Sequence, residues 1–159
     1  MSESSKTLHL SYSYGAPASL VYSYWTEPEL ISTWWGTHSS VVVDCSVELK
    51  VGGRWSIAMQ TPSGRVFQNG GTYLQIEAPR LLRFSDVPVA DLPEWGGVQR
   101  HPSVHTVDFC AVGNGTRVDL RVEYETAAEL QLMQRLGMPD GIVQGLQRLS
   151  VCLKQATAR

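Results

Sequence analysis

Apolar and polar residues alternate over most of the chain, and this period of two predicts a succession of β-strands. The alternation begins over residues 6–14, where Leu and Tyr take turns with polar neighbours, and it predicts a half-buried strand there. It returns at residue 41, and Gly52-Gly53 marks the turn of a predicted hairpin. The strands predicted after the first lie at 41–49, 55–59, 65–77, 80–84, 105–112 and 116–125.

Two short helices are predicted between the first strand and residue 40. The segment 17–26 begins with a proline, which suits a helix start, and places its apolar residues on one helical face. A second helix is expected from Thr26–Glu29, whose sequence TEPE has the form of a capping box. We expect this helix to carry Trp34 and Trp35 and to end at Gly36 in a left-handed conformation.

Two further helices are predicted in the last third of the chain. A capping box at Thr126–Glu129 begins a helix that extends to about Leu136. After an interruption at 137–140, a final helix is expected to begin at Asp140. Its apolar residues recur with the spacing i, i+4, i+7, i+11 and i+14, which predicts one long stripe that faces a core.

In this order the elements predict an α+β fold. The strands have links of hairpin length, which disfavour a parallel sheet. We therefore expect a curved antiparallel sheet of about seven strands around a long C-terminal helix, with two short helices after the first strand. A length of 159 residues suits one domain. We expect residues 1–5 to be a disordered N-terminus and residues 6–159 to form a single domain.

Composition and charge narrow the classes of protein. The chain is 43% hydrophobic and 18% charged, a balance typical of soluble globular proteins. Its net charge is −2 and it has no basic run, which argues against nucleic-acid binding. No apolar run approaches the roughly 18 residues of a membrane span, and the start of the chain shows no signal peptide. These features favour a cytoplasmic protein that does not bind a membrane.

The three cysteines do not suggest a metal site. Cys45, Cys110 and Cys152 are far apart, and no pair has the spacing of metal ligands. Each lies in an apolar stretch, so we expect reduced thiols buried in the core. We expect neither a metal nor a tightly bound cofactor.

A series of short motifs resembles a known family. The longest is PASLVYSYWTEPELISTWWG at residues 17–36. The pattern resembles the activator of heat-shock-protein-90 ATPase homologue family, within the START/polyketide-cyclase superfamily. The matching residues are Ala16, Pro17, Val21, Trp25, Thr26, Pro28, Leu30, Trp34, Trp35, Gly36, Val51–Trp55, Gly71, Ile76, Pro79, Gly115–Arg117, Gly141, Leu146 and Leu149.

The resemblance implies the helix-grip (START-like) fold and a tendency to hold apolar ligands between the sheet and the C-terminal helix. It does not imply a reaction. One departure concerns the last helix, where the family commonly has Gly-Trp and this chain has Gly141-Ile142. The smaller side chain would leave more space in a cavity.

A sheet curved around a helix creates a concavity, and apolar concavities are the usual sites for small ligands. The alternative is a filled core that needs no ligand. Strand and helix periodicity select the side chains that face inwards. The expected ligand-binding residues are Trp55, Ile57, Met59, Phe67, Tyr73, Phe84, Val107, Phe109 and Leu120 from the strands, and Met133, Met138, Ile142 and Leu146 from the helices.

Three tryptophans are further candidates for ligand contact. Adjacent helical residues point about 100° apart, so Trp34 and Trp35 would face different directions. We expect one ring to clamp the helix onto the sheet and the other to reach the ligand, and the sequence leaves open which does which. The long loop 87–103 contains Trp95 and is either a lid over the cavity or a surface excursion.

The sequence favours a binding protein over an enzyme, because no catalytic motif of the common hydrolase, nucleotide-binding or metalloprotease types occurs. His105 shares its strand parity with Val107 and Phe109, so it is the candidate inward polar group and the one weak catalytic candidate. Three hypotheses remain: binding of a small apolar or aromatic molecule, catalysis of the polyketide-cyclase type through His105, and a role as a chaperone co-factor or interaction module. A homodimer also stays open.

Overall fold

Over residues 5–89 and 91–158, which the computed structural model describes, the chain forms a seven-stranded antiparallel sheet and four α-helices. The strands are β1 (Thr7–Tyr14), β2 (Val41–Val47), β3 (Arg54–Gln60), β4 (Val66–Glu77), β5 (Leu81–Asp86), β6 (Ser103–Val112) and β7 (Gly115–Glu123). The helices are α1 (Ala18–Thr26), α2 (Pro28–Ile31), α3 (Ala127–Arg135) and α4 (Met138–Thr157), with a 3₁₀ turn at Pro93–Trp95. Of the predicted disordered segment 1–5, all but Ser5 lies outside the described residues.

The sheet has the order β1-β7-β6-β5-β4-β3-β2, so the first strand of the chain lies beside the last. Strands β2 to β7 are neighbours in sequence and in space. Short turns join them, except for the long loop 87–102 between β5 and β6. The predicted α+β class, the curved antiparallel sheet and the long C-terminal helix are all confirmed.

The core lies between the concave face of the sheet and the helices. The predicted stripe of α4 supplies Leu146, Leu149 and Leu153, each at most 2% exposed. Burial of each such side chain stabilises the fold by roughly 1.5–3 kcal/mol. The Tyr14 hydroxyl donates a 3.0 Å hydrogen bond to the carbonyl oxygen of Leu146, and this bond fixes α4 against β1. The stripe therefore determines how the helix lies in the sheet.

Three details of the helices differ from the prediction. Helix α2 ends at Ile31, so the tryptophan pair lies in the turn that follows rather than in the helix. Thr26 does not cap α2, because its hydroxyl donates to the Tyr22 carbonyl of α1 instead. Helix α4 begins two residues before Asp140, at Met138, because the left-handed Gly137 precedes it as the N-cap. By contrast, the predicted capping box at Thr126 is present.

The three cysteines are free thiols, as expected, but they are only half-buried. Cys45 and Cys152 pack against the edge of the core, and Cys110 lies 3.5 Å from the carboxylate of Asp119 on the outer face of the sheet. The prediction that these thiols are buried in the core is therefore wrong, although each cysteine lies in an apolar stretch of the sequence.

The paired glycines of β4 bring three strands unusually close together. The Trp55 indole donates a 2.9 Å hydrogen bond to the Ser85 carbonyl oxygen, which reaches past Gly71. The amide of Val87 donates to the Gly70 carbonyl at 2.7 Å. A side chain at Gly71 would overlap the Ser85 carbonyl oxygen, so only glycine allows this approach. The contact places the end of β5 beside the middle of β4.

We expect Gly71→Ala to lower the free energy of unfolding by about 2 kcal/mol or more, since the added methyl group meets backbone that cannot move aside. Urea unfolding measures the change. Gly15→Ala is the matched control, because a Cβ at Gly15 meets nothing within 4 Å. Equal stability of the two variants would show that the approach of Ser85 does not constrain β4.

Candidate functional site

A cavity of about 240 Å³ lies between the concave face of the sheet and the N-terminal half of α4. We refer to it as the central cavity. Its walls are mostly apolar, and its polar groups come chiefly from the ends of three neighbouring strands. The lining residues are Trp25, Trp34, Trp35, Gly36, Thr37, Ser40, Met59, Thr61, Phe67, Asn69, Phe84, Asp86, His105, Leu120, Met138, Gly141, Ile142, Gly145 and Leu146.

A row of aromatic rings runs along the inside of the sheet to this polar end. The centroids of Trp34 and Trp35 lie 5.6 Å apart, and those of Trp35 and Trp55 lie 6.1 Å apart. The row continues from Trp55 to Phe84 at 5.3 Å and from Phe84 to His105 at 5.0 Å. The last two rings are stacked, with 13° between their planes. We call these five rings the aromatic row.

Both members of the tryptophan pair line the central cavity. Trp34 is 3% exposed, and its indole N–H donates a 2.8 Å hydrogen bond to the Tyr24 carbonyl, so it also clamps the turn onto α1. Trp35 is half-buried and contacts the rings of Trp25 and Trp55. Helical spacing predicts that only one ring faces inwards. The two converge because the chain has already left the helix.

The polar end of the cavity contains Asp86, His105 and Asn69. Asn69 donates a hydrogen bond of 3.5 Å to Oδ2 of Asp86, and His105 Nε2 lies 3.9 Å from the same oxygen. The same Nε2 of His105 also lies 3.3 Å from the Ser103 hydroxyl. The Asp86 and His105 side chains are only 16% and 14% exposed. The end of β5 thus presents a carboxylate to an otherwise apolar space.

Burial shifts the pKa values of both titratable groups towards their neutral forms. Desolvation raises the pKa of Asp86 to about 6, although Arg100 and hydrogen bonds from Gly70 and Asn69 oppose the rise. Desolvation and the nearby Arg100 lower the pKa of His105 to about 4. At neutral pH the carboxylate is therefore ionised and the imidazole is neutral, so the two do not form an ion pair.

The cavity wall also contains a donor without a partner. The indole Nε1 of Trp25 is buried and has no hydrogen-bond partner within the described part of the chain. A buried N–H that lacks a partner is destabilising by roughly 1–3 kcal/mol. Trp25 borders the central cavity, where a ligand could accept from it.

A second cavity of about 560 Å³ adjoins the central one, and we call it the adjacent cavity. It lies under the loop that joins β5 to β6. Five residues line both cavities and lie between them: Met59, Phe67, Asn69, Asp86 and Met138. Trp95 and Met133 line the adjacent cavity rather than the central one.

One buried carboxylate fixes this loop. Glu129 is fully buried, and it accepts hydrogen bonds from the backbone N–H and hydroxyl of Thr126 and from the backbone N–H of His101. Arg100 Nε lies 3.7 Å from it, and the Arg100 guanidinium stacks over Trp95 at 5.3 Å. Burial raises the pKa of Glu129, but the hydrogen bonds from His101 and Thr126 outweigh it and lower the pKa overall.

The remaining candidate residues lie outside the central cavity. Trp55, Ile57 and Tyr73 border a crevice of only about 20 Å³, which is too small for a ligand. Val107 and Phe109 are at most 2% exposed, pack in the core and are not among the residues that line these cavities. Strand periodicity correctly predicted that these five side chains face inwards. They are buried in the core and leave no room for a ligand beside them.

The sequence analysis missed Asp86 and Asn69. Both were within reach of the same parity rule, since Asp86 lies two residues after Phe84 and Asn69 two residues after Phe67. They were not selected because carboxylate and amide side chains usually face solvent, and His105 was the one polar residue predicted to face inwards. Within the described ranges, no group of three or more His, Cys, Asp or Glu residues could hold a metal ion. No described helix is long and apolar enough to cross a membrane.

A curved seven-stranded sheet around a long C-terminal helix, with a cavity between them, defines a helix-grip protein of the START-like superfamily. The family model described as "Activator of Hsp90 ATPase homolog 1-like protein" matches residues 15–154. The chain belongs to this family, and the resemblance found in the sequence is confirmed. A search of curated proteins found no match.

Solved structures share the fold. The crystal structure of a protein from Nitrosomonas europaea is 24% identical, with a TM-score of 0.83 over 96% of this chain and 97% of that one. A solution structure from Arthrobacter aurescens is 23% identical, with a TM-score of 0.81 over 95% and 87%. An "AHSA1-like protein" from Aeromonas hydrophila is 21% identical, with a TM-score of 0.67 over 96% of each chain.

We expect Asp86→Asn to raise the free energy of unfolding at pH 8 by up to about 3 kcal/mol. The folded-state pKa of Asp86 lies above its ordinary 3.8, so ionisation increasingly destabilises the fold as pH rises from about 4 through about 6. The gain should therefore vanish near pH 4, where the wild-type carboxyl is also neutral. Urea unfolding at both pH values measures it.

The control is Asp44→Asn, on the exposed face of β2, which should change stability by less than about 0.5 kcal/mol at either pH. A loss of stability at pH 8 in Asp86→Asn, or an equal gain at both pH values, would contradict the assignment of Asp86 as a buried carboxylate without a full counter-charge.

Proposed function

We propose that the protein binds a small apolar or aromatic molecule in the central cavity. The observation that carries the proposal is the cavity itself, a space of about 240 Å³ with aromatic walls and a few polar groups at one end. Sites of this composition are typical of small-molecule binding, since apolar walls supply affinity and a few polar groups fix orientation.

The size of the cavity supports a ligand rather than water. An apolar cavity of about 150 Å³ can stay dry and accept a single aromatic ring. The central cavity is larger, and the same argument admits a ligand of two fused rings. Flexible methionines between the two cavities, Met59 and Met138, would let a longer ligand extend into the adjacent cavity.

The space depends on the small residues of α4. Gly141 faces the cavity, and a Cβ there would meet only the Thr37 methyl group, at 3.5 Å. Ile142 is the position at which the family commonly has tryptophan, and it also lines the cavity. A larger side chain at either position would occupy the volume that the ligand needs.

We expect Ile142→Trp to abolish ligand binding and to leave the fold intact, because the indole fills the central cavity. Native mass spectrometry of the freshly purified proteins, followed by titration with two-ring aromatics, measures it. Val151→Trp is the matched control, since Val151 is on the same helix but 55% exposed. Binding that survives equally in both variants would place the ligand site elsewhere.

A second candidate function is catalysis of the polyketide-cyclase type. The observation that favours it is the pair of titratable groups at the polar end, Asp86 with a pKa of about 6 and the neutral His105. A carboxylate with this pKa is suited to act as a general base near neutral pH. If a bound molecule is converted, Asp86→Asn should stop conversion and retain binding. A chaperone partner is suggested only by the name of the family, so we rank it last.

A further inference from the structure

We propose that the ligand of the central cavity carries a protonated amine, whose ammonium group pairs with Asp86 while its aromatic or apolar body lies against the aromatic rings of the cavity wall. This inference rests on the proposed function and narrows it to one class of ligand. It follows from the charges around Asp86, from the chemistry of the walls and from the form of the site.

The carboxylate of Asp86 has no full counter-charge within the described part of the chain. It makes no salt bridge with a lysine or arginine there. Its partners are the backbone of Gly70, the Asn69 amide at 3.5 Å and His105 at 3.9 Å, and none of them is a full positive charge. A buried carboxylate with so few partners is unfavourable unless a cation joins it. A ligand cation would supply the missing partner.

The other charged and titratable groups near Asp86 do not supply that charge. Arg100 opposes the rise in the pKa of Asp86, but within the described residues it makes no salt bridge with Asp86. Its Nε lies 3.7 Å from the fully buried Glu129, so a single guanidinium faces two carboxylates. His105 is neutral at physiological pH, because burial lowers its pKa to about 4. Burial raises the pKa of Tyr124 to about 12, so this phenol is neutral as well. The polar end therefore keeps a net negative charge.

The cavity walls favour a cation for a second reason. The faces of tryptophan and phenylalanine rings attract ammonium groups, and this attraction is strongest in desolvated sites. Trp25, Trp34, Trp35 and Phe84 all line the cavity, and Phe84 leads directly to the polar end. An amine at Asp86 would meet both the carboxylate and the aromatic rings.

Ligands of other charge fit less well. A carboxylate ligand would place a second negative charge beside Asp86 in a space of low polarity. The N-terminus of α4 could attract an anion, but the side chain of Asp140 already lies in its first turn. A neutral alcohol could hydrogen-bond to Asp86 without neutralising it. We therefore expect affinity to be highest for an amine, lower for an alcohol and lowest for a carboxylate.

Isothermal titration calorimetry with three matched probes tests the proposal: 2-naphthylmethylamine, 2-naphthalenemethanol and 2-naphthoate, at pH 7.5. We expect the amine to bind about tenfold more tightly than the alcohol, and the carboxylate to bind most weakly. In Asp86→Asn the preference for the amine should disappear. The alcohol should bind about as before, because the amide oxygen of Asn still accepts its hydrogen bond. Asp140→Asn, an exposed carboxylate outside the cavity, should keep the preference.

A second experiment measures the affinities of the wild-type protein at two pH values and does not depend on any variant. Between pH 7.5 and pH 5 the affinity for the amine should fall severalfold as Asp86 takes up a proton, while the affinity for the alcohol should stay constant. Equal binding of amine and alcohol, a preference for the carboxylate, or a preference for the amine that survives in Asp86→Asn would overturn the inference and leave the proposed function standing. If none of the three probes binds, both fail.

Discussion

The packing of α4 into the curved sheet is the constraint on which the rest of the structure depends. From Leu146 onwards the helix fills the concave face with Leu146, Leu149 and Leu153. Before Leu146 the packing is looser, because Gly141 has no side chain and a Cβ there would meet only the Thr37 methyl group. One helix therefore both stabilises the fold and borders the central cavity. The cavity lies beside the part of α4 that precedes the buried leucine stripe.

The polar end of that space is costly to the fold. Asp86 is ionised at neutral pH although burial disfavours its charge, and the indole N–H of Trp25 is buried without a partner within the described residues. Proteins commonly accept such local instability where a binding or reactive group is needed. The glycines of β4 add a second constraint, because they let Ser85 and hence Asp86 come close to Asn69.

The period of two and the stripe of α4 predicted the fold almost completely, since both depend on burial along regular elements. Helix boundaries were less accurate, because local hydrogen bonds such as that from Thr26 to Tyr22 compete with the capping pattern. Within the site, apolar wall residues such as Met59 and Phe84 were foreseen from parity. Asp86 has the same parity as Phe84 but was not singled out, because an aspartate at the end of a strand ordinarily faces solvent.

The fully buried Glu129 has a consequence for motion. The same carboxylate completes the capping box of α3 and holds the backbone of His101, so the loop cannot detach without removing the cap of the helix. Local unfolding therefore couples the two segments into one cooperative unit. Any movement that lifts this loop from the adjacent cavity would therefore also remove the cap of α3.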